Sequence, residues 1–455
     1  MARTLDNVAA AVGGELVGSN RSFTRVSTDT RTLSEGALFV ALKGPHFDGH
    51  RFLEDAAKKG AAGALVETPA GVALNQVKVV DTRRALGRLA RAWRRSFDPA
   101  SVVTVAVTGS NGKTTTKGLV AAILAGLGPV HATRGNFNND IGLPLTLLDL
   151  TAEHRSLVLE MGANHPGEIA YLTEIAAPSV GVITNAGPAH LEGFGSVAGV
   201  ARAKGELFTG LPDSGTAIIN ADDQFAALWR ELAEGRRVIE FGRSPKAGCR
   251  LVDEASPTSA GQHFRLLIED VGEAEIALPL QGAHNALNAA AAAAAAIAAG
   301  ASLEHVIAGL GAGVSIAGRL LQRPGRNGAL IIDDSYNANP ASVMAAIETL
   351  ASYPGRRVLV LGDMAELGVD SIELHRQVGA HAARQRLDGL VGIGELSAHA
   401  CTAFGSNAVH FAQQTDALRY LEPLLGPDLA VLVKASRSMA LEHLVDALVN
   451  GAGVA

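Results

Sequence analysis

Apolar runs of strand length alternate with helical patterns from residue 102 onwards. The run VVTVAVTG at 102–109 precedes a helical pattern that begins at Lys113, and SLVLEMG, SVGVITN and TAIIN repeat this arrangement. Strands that are apolar along their whole length are buried on both faces, as in a parallel sheet that helices cover. The sequence therefore predicts an α/β fold built on parallel sheets.

A second series of the same kind begins near Gly313. It contains GALIIDDSY, RRVLVLGDM, LDGLVGIG and LAVLVKAS, each followed by a helical stretch, which is typical of a smaller doubly wound, Rossmann-like domain. At 455 residues the chain is too long for one ordinary core. We expect three domains: a small mixed α/β domain at 1–98, a central P-loop ATPase domain at 99–312 and a Rossmann-like domain at 313–455.

The composition argues against several classes of function. A net charge of −6 disfavours non-specific binding to nucleic acid. Cys249 and Cys401 lie far apart and lack the spacing of metal ligands. The longest apolar stretch, 289–299, is too short to span a membrane, and its alanines predict a tightly packed internal helix. The sequence starts without the apolar segment of a secretory signal, so we expect a cytoplasmic protein with no membrane insertion. Nothing in the sequence indicates an obligate assembly, and we expect a monomer.

The stretch TGSNGKTTT at 108–116 follows an apolar strand and opens a helix. Glycines let backbone amides approach phosphate oxygens, a lysine adds positive charge, and the helix N-terminus favours an anion. The full P-loop pattern has a glycine where this chain has Val107, so the motif is a shortened variant. We expect contacts with a nucleotide triphosphate from Gly109, Ser110, Asn111, Gly112, Lys113, Thr114 and Thr115.

Four more polar motifs follow in a fixed order. They are GNFNNDIGLP at 135–144, LEMGANHPGE at 159–168, NAGPAHLEGFGS at 185–196 and ARAKGELF at 201–208. The set resembles the Mur ligases, the ATP-dependent amide-forming enzymes of peptidoglycan precursor synthesis. LFVALKG, DDSYNANP and LGDMAELG are similar to the members that join UDP-N-acetylmuramoyl-tripeptide to D-alanyl-D-alanine. The resemblance covers nearly the whole chain and implies ATP and Mg²⁺ as cofactors.

The chemistry of this family explains the residue types. A carboxylate accepts an amine only after activation, because oxide and hydroxide are poor leaving groups. In the family, ATP phosphorylates the carboxylate, and the amine then displaces phosphate from the acyl phosphate. Negative charge develops on the phosphoryl and carboxyl oxygens, so Mg²⁺ and lysine are the expected catalysts.

The resemblance implies which residues are catalytic and which bind metal. It assigns catalysis to Lys113, Glu160, His190 and Lys204, and two Mg²⁺ ions to Thr114, Glu160, His190 and Lys204. Lys204 corresponds to a lysine that is carbamylated in the family, which converts a cation into an anionic oxygen ligand suited to Mg²⁺. Both residues also have a simpler interpretation without a catalytic role. Lys204 could be a surface lysine whose charged end snorkels to water, and Glu160 could be a solvated glutamate at the end of a strand.

The resemblance also implies the binding residues. Further ATP contacts are expected from Asn285, Arg319 and Asp334. Substrate contacts are expected from Ser27, Thr28, Arg31, Lys43, Asp48 and His50 for the uridine nucleotide, from Asn138 and Asn139 near the reacting carboxylate, and from Tyr336, Asn337, Asn339, Lys434, Ser436 and Arg437 for the dipeptide. Turn or capping roles remain open for the asparagines. The family commonly has glycine at Ala435, and Asp363 has no role that we can assign.

Other functions remain open. A sibling ligase that adds the third amino acid of the stem peptide, or a folylpolyglutamate synthase, would use the same chemistry. The sibling typically carries a DNPR-type motif, whereas this chain has DDSYNANP at 333–340. A P-loop nucleotide switch belongs to another class, and it would not need His190, Lys204 and DDSYNANP together. We expect the third domain to close over the nucleotide.

Overall fold

Three sheets, one after another along the chain, form the framework of the computed structural model. The structure describes residues 2–45, 47–253, 256–258, 261–313 and 317–451, so short stretches of each predicted domain lie outside it. The sheets have five, ten and six strands, and a two-stranded hairpin accompanies the first. The predicted boundaries at residues 98 and 312 both fall between these sheets.

The first sheet has the strand order β1-β7-β6-β3-β2, and only β1 is antiparallel to its neighbour. Strands β4 and β5 form the separate hairpin. The elements are α1 (Leu5–Val12), β1 (Glu15–Val17), β2 (Val26–Ser27), β3 (Leu38–Val40), β4 (Lys43–Gly44), β5 (Phe47–Asp48), α2 (Leu53–Lys58), β6 (Gly63–Val66), β7 (Gln76–Lys78) and α3 (Thr82–Arg95).

The central sheet is parallel from β9 to β14, in the order β9-β10-β8-β11-β12-β13-β14, and then continues with antiparallel strands. Its elements up to the last parallel strand are β8 (Val103–Thr108), α4 (Lys113–Leu124), β9 (Val130–Ala132), α5 (Gly142–Leu148), β10 (Ser156–Glu160), α6 (Glu168–Ala176), β11 (Val180–Ile183), α7 (Leu191–Phe194), α8 (Val197–Thr209), β12 (Thr216–Asn220), α9 (Ala226–Leu232), β13 (Arg237–Gly242) and β14 (Cys249–Leu251). The extension comprises β15 (Ser256–Thr258), β16 (Gly261–Ile268) and β17 (Gly272–Leu278), and helices α10 (Ala283–Ala298) and α11 (Leu303–Ala312) follow.

Two details of this domain differ from the sequence prediction. The antiparallel extension was not predicted, because it follows the alternating pattern without helices between its strands. The helical pattern that follows TAIIN begins as a helix only at Ala226, because Asp222 and Asp223 accept backbone hydrogen bonds from Ser244 and Phe225 and so occupy the preceding turn.

The third sheet has the order β18-β19-β23-β20-β21-β22, and all of its pairs except β18–β19 are parallel. Its elements are β18 (Leu321–Pro324), β19 (Leu330–Asp333), α12 (Pro340–Ala351), β20 (Arg356–Gly362), α13 (Ser371–Arg384), β21 (Gly389–Ile393), α14 (Ser397–Phe404), β22 (Ala408–Phe411), α15 (Gln414–Leu421), β23 (Leu429–Lys434) and α16 (Glu442–Asn450). The doubly wound domain predicted from the sequence is therefore present.

The first and central domains share one apolar core. Leu86 and Leu89 of α3 belong to the same buried cluster as Leu147 of α5 and Ile175 of α6. Trp93 Nε1 of α3 also donates a hydrogen bond to the carbonyl of Leu150 at 3.1 Å. By contrast, the buried clusters of the third domain contain only residues of that domain. The first two domains therefore form one packed body, and the third forms another.

The alanine-rich helix α10 is buried, as the sequence predicts. Ala286 and the eight alanines 289–296 have no exposed surface. Their small side chains let α10 pack closely against α4 and the central sheet. None of the helices in the described ranges is long and apolar enough to cross a membrane.

Candidate active site

The phosphate-loop motif lies between β8 and α4 at the carboxyl edge of the central sheet. Gly109 has φ 149° and Gly112, which precedes α4, has φ 80°, in the region that favours glycine. A Cβ atom at Gly109 would lie 1.8 Å from Thr184 Oγ1, and one at Gly112 would lie 2.3 Å from Asn288 Oδ1. Both backbone conformation and packing therefore require glycine at these positions.

The segment after β11 holds the loop in place. Thr184 Oγ1 donates to the carbonyl of Asn111 at 2.6 Å, and Asn185 Oδ1 accepts from the amide of Asn111 at 2.9 Å. Ser110 Oγ accepts from the amide of Gly187 at 2.9 Å. A loop held in this way at a helix N-terminus is suited to bind phosphate, because its backbone does not need to reorganise.

Lys113 folds over the loop that precedes it. Its Nζ donates to the carbonyls of Gly109 at 2.8 Å and Ser110 at 3.3 Å. Burial lowers the pKa of Lys113, while the charge of Glu160 acts in the opposite direction. The predicted phosphate-binding lysine is therefore positioned beside the loop and near a buried carboxylate.

Glu160 ends β10 with its side chain buried. Asn138 Nδ2 donates to Glu160 Oε1 at 2.8 Å, whereas Oε2 is buried and has no hydrogen-bond partner among the described residues. A buried carboxylate oxygen without a partner is costly unless a cation or donor satisfies it. Asn139, in contrast, uses its Oδ1 to accept from the amides of Ile141 and Gly142, which is a turn role.

His190 connects the central and third domains. It has φ 54° just before α7, and its Nδ1 forms an ion-pair contact with Glu366 of the LGDMAELG loop. Burial lowers the pKa of His190, Glu366 acts to raise it, and Lys113 acts to lower it further. Glu366 was not among the residues singled out in the sequence, because its motif alone does not show that it reaches across domains.

Lys204 is buried in α8, with only 2% of its surface exposed. Burial and the charge of Lys113 hold the pKa of Lys204 well below the usual range of lysine. The part of the chain that the structure describes offers Lys204 no hydrogen bond or ion pair. The exposed, snorkelling alternative considered from the sequence is therefore wrong, because the side chain of Lys204 is buried in the central domain.

A cavity of about 310 Å³ lies between the phosphate loop and the third domain. Lys434 Nζ donates to Asp334 Oδ2 at 2.6 Å, and Asp334 Oδ1 accepts from the amide of Leu320 at 3.2 Å. Asn288 Nδ2 donates to Asn285 Oδ1 at 3.0 Å, and burial lowers the pKa of His284 to about 4. These side chains line the cavity together with Asn111, Gly112, Thr115 and Arg319.

A second cavity, of about 700 Å³, lies on the other side of Arg319. The guanidinium of Arg319 stacks 4.5 Å from the ring centre of Tyr336. Asp333 lines this cavity, whereas Asp334 lines the first, because successive residues of a strand point to opposite faces. Its remaining polar lining residues include Thr114, Lys117, Asn136, Ser335, Arg437 and Glu442.

Other predicted residues of the third domain have structural partners. Asn339 caps α12, since its Oδ1 accepts from the amide of Ser342 at 2.9 Å, while its Nδ2 donates to Asn111 Oδ1 at 2.7 Å. Asn337 Oδ1 accepts from the amide of Ala338 at 2.9 Å. Asp363 accepts from the amides of Glu395 and Ser397 and so holds the turn before α14.

Ser436 and Arg437 lie in the turn after β23. Ser436 Oγ accepts from the amide of Ala365 at 2.7 Å, so it connects this turn to the LGDMAELG loop. Arg437 Nη1 donates to Glu442 Oε1 at 2.6 Å. The structure therefore brings the turn to the rim of the second cavity, with both polar side chains already in contact with protein.

The residues predicted to bind the uridine nucleotide lie apart from these cavities. Arg31 pairs with Asp29 and thereby lowers the pKa of that carboxyl to about 2. Asp48 Oδ1 contacts His50 Nδ1 at 2.7 Å, and His50 Nε2 accepts from the amide of Glu67 at 2.9 Å. Ser27 ends β2, Thr28 follows it and Lys43 begins β4, and none of the six residues lines either cavity.

Four residues that the sequence analysis did not assign to the site belong to it. Thr184 and Asn288 contact the phosphate loop, Glu366 contacts His190, and Lys117 lines the second cavity. Lys117 lies four residues after Lys113 on the same helix, and this spacing was the one available signal.

The fold and this site define a class of protein: a P-loop enzyme in which a second α/β domain covers the nucleotide-binding edge of the central sheet. Family models agree with this architecture. The Mur ligase family, catalytic domain, matches residues 22–94, the Mur ligase middle domain matches 107–296, and the Mur ligase, glutamate ligase domain, matches 318–437. The chain belongs to the Mur ligase family, as its motifs predicted.

Individual relatives match along the whole chain. The UDP-N-acetylmuramoyl-tripeptide--D-alanyl-D-alanine ligase of Escherichia coli (strain K12) is 44% identical over 447 residues, which covers 98% of both chains. A crystal structure of MurF from Acinetobacter baumannii has a TM-score of 0.92 and 36% identity, covering 98% of this chain and 99% of that one. MurF ligase from Thermotoga maritima in complex with ADP has a TM-score of 0.83 and 31% identity, covering 93% and 96%. The predicted three-domain α/β fold is confirmed.

Proposed function

We propose that the protein uses ATP to join the terminal carboxylate of UDP-N-acetylmuramoyl-tripeptide to the amine of D-alanyl-D-alanine, releasing ADP and phosphate. The product would be the UDP-linked pentapeptide precursor of peptidoglycan. The 44% identity over nearly full length with a ligase of this name supports the proposal. We further propose that the protein acts in the cytoplasm, where ATP and UDP-linked precursors are available, and that it acts as a monomer.

The two cavities suggest where the reactants bind. In the proposed complex, the nucleotide occupies the first cavity, where Asn285 and Asp334 face its base and ribose and the loop at 109–115 holds its phosphates. Arg319 borders both cavities, so it can stabilise charge on the γ-phosphate as the phosphate moves to the carboxylate. The reacting carboxylate then lies in the second cavity.

The residues of the phosphate loop fit a magnesium ion. Glu160 Oε2 is buried without a partner, and Thr114 stands at the start of α4 beside the loop. A carboxylate and a hydroxyl are hard oxygen ligands of the kind that Mg²⁺ prefers. When bound there, Mg²⁺ would neutralise charge on the phosphate oxygens.

Lys204 fits a second ion only after modification. An ammonium repels a cation, but burial lowers the pKa of Lys204 and so favours the neutral amine, which would attack CO₂ and lose a proton to give a carbamate. Together with His190, the carbamate oxygens would provide a second metal site in the central domain. His190 is within contact of Glu366 in this arrangement, so metal binding there would compete with that ion pair.

The third domain contributes the acceptor side of the reaction. We propose that it closes on the central domain as a body, because its core is separate and its contacts with the phosphate loop are polar. Tyr336 and Arg437 lie at the second cavity, where the dipeptide amine must reach the acyl carbon. Closure would also exclude water, which would otherwise hydrolyse the acyl phosphate.

One observation carries the proposal: Lys113 lies close enough to Glu160, His190 and Lys204 for their charges to interact, and His190 contacts Glu366 of the third domain. The test is release of ADP with UDP-muramoyl-tripeptide while the dipeptide concentration is varied. We expect ADP and the pentapeptide product to form in equal amounts and to depend on the dipeptide. Phosphate release that ignores the dipeptide would contradict the proposal and favour a nucleotide switch.

A further inference from the structure

Lys117 is a buried lysine to which the proposed reaction assigns no role. It lies on α4 one turn after Lys113, has only 8% of its surface exposed and lines the second cavity. Its Nζ donates to the carbonyl of Thr133 at 2.8 Å. Burying an ammonium against a single neutral acceptor is unfavourable, so its retention calls for an anionic partner.

No protein carboxylate among the described residues forms an ion pair with Lys117, although Glu160 lies close enough for its charge to act on the pKa of Lys117. Two carboxylates line the cavity, and Glu442 is already paired with Arg437. Asp333 instead accepts from the amide and hydroxyl of Ser335, at 3.1 and 2.6 Å. Among the described residues, Lys117 and Arg319 therefore have no carboxylate within ion-pair distance, and the cavity has excess positive charge.

The position of Lys117 distinguishes it from the phosphate-binding lysine. Lys113 Nζ lies on the carbonyls of the loop itself, whereas Lys117 faces the cavity that Thr114, Asn136 and Tyr336 share. Glu160 and Arg319 are both close enough to affect the pKa of Lys117, which burial lowers. Lys117 is therefore near both the carboxylate proposed to bind Mg²⁺ and the arginine that borders both cavities.

We propose that Lys117 binds the reacting carboxylate of the UDP-linked peptide and holds it for phosphorylation. This inference rests on the proposed function. The ammonium would donate to a carboxylate oxygen, orient the other oxygen towards the γ-phosphate, and keep its contact with the acyl group after transfer. Lys117 is then a catalytic residue that contacts the peptide substrate and does not bind the nucleotide.

The test compares Lys117→Gln with the parent enzyme in binding and in turnover. Glutamine can still donate to the carbonyl of Thr133, so it removes the charge while keeping the structural hydrogen bond. We expect KM for the UDP-tripeptide to rise about 10- to 100-fold, since hydrogen bonds to charged groups are stronger than neutral ones, with KM for ATP within about twofold. Lys58→Met is the control, because Lys58 is an exposed lysine of α2.

Calorimetry with a substrate analogue makes the test specific for the carboxylate. The parent enzyme should bind the free-acid UDP-tripeptide more tightly than its terminal amide, and Lys117→Gln should bind both equally. The inference is overturned if the variant keeps the preference for the acid, if KM for ATP rises instead, or if only the melting temperature falls. If Lys117→Gln does not fold, Lys117→Arg should retain most of the preference, and its loss would count against the inference. A parent enzyme that fails to bind the UDP-tripeptide would refute the proposed function itself.

Discussion

Substituting Asn339 by serine tests whether the third domain is coupled to the phosphate loop. The side chain of Asn339 has two separable tasks: Oδ1 caps α12, and Nδ2 donates to Asn111 Oδ1 at 2.7 Å across the domain boundary. Serine caps helices about as well as asparagine, so Asn339→Ser keeps the first task. Its side chain is too short to reach Asn111, so the second task is lost.

The size of the effect follows from one neutral hydrogen bond. Such a bond contributes about 0.5–1.5 kcal/mol, so closure in the presence of nucleotide should become roughly 2- to 12-fold less favourable. ADP affinity measured by calorimetry should weaken by this factor, while the melting temperature stays within about 2 °C. Asn339→Ala removes the cap as well, and this variant should lose about 1 kcal/mol of stability in addition.

The result also decides between two roles for Asn339. The motif resemblance predicts that Asn339 contacts the dipeptide, in which case Asn339→Ser would raise KM for D-alanyl-D-alanine and leave ADP affinity unchanged. Such a result would refute the coupling argument. Small-angle scattering with and without nucleotide provides the second measurement, because weaker coupling should reduce the compaction that nucleotide induces.

Three further predictions follow from buried side chains. Lys204→Ala should nearly abolish turnover, with partial recovery by short carboxylic acids, and a fully active variant would exclude the carbamate. Trp229 is fully buried, and its Nε1 donates to the carbonyl of Ala201. Trp229→Ala should therefore lower the free energy of unfolding, measured in urea, by about 3–5 kcal/mol. A loss near zero would contradict the tight packing of this side chain. Burial holds the pKa of His284 at about 4, below its ordinary 6.5, so the unfolded chain binds more protons than the folded chain between these pH values. Stability should therefore rise with pH across that window, and His284→Asn should flatten the rise in melting temperature. An unchanged slope in the variant would contradict this assignment to His284.

Local patterns were sufficient for much of the fold and for part of the site. The phosphate loop was predictable because Gly109, Gly112 and Lys113 are close in sequence and form a recognisable motif between a strand and a helix. The buried alanine helix was predictable because a run of small apolar residues suits close packing. The approximate positions of Glu160 and Asp334 followed from their places at strand ends.

The remaining features depend on contacts between distant parts of the chain. Lys117 looks like a surface lysine in a helical pattern, and its burial and its hydrogen bond to the carbonyl of Thr133 depend on segments outside its own helix. The pairing of His190 with Glu366 joins residues far apart in sequence, and no local propensity encodes it. The antiparallel strands β15–β17 were missed because they break the alternation of strands and helices on which the sequence prediction relied.

The core shared by the first two domains determines where this chain can be divided. A cut between α11 and β18 would separate two bodies whose apolar clusters are each complete, so the halves should fold independently and reassemble through polar contacts. A cut near residue 98 would expose the apolar faces of α3, α5 and α6 to water instead. Fragment complementation is therefore expected for a division between α11 and β18, and it is not expected for a division near residue 98.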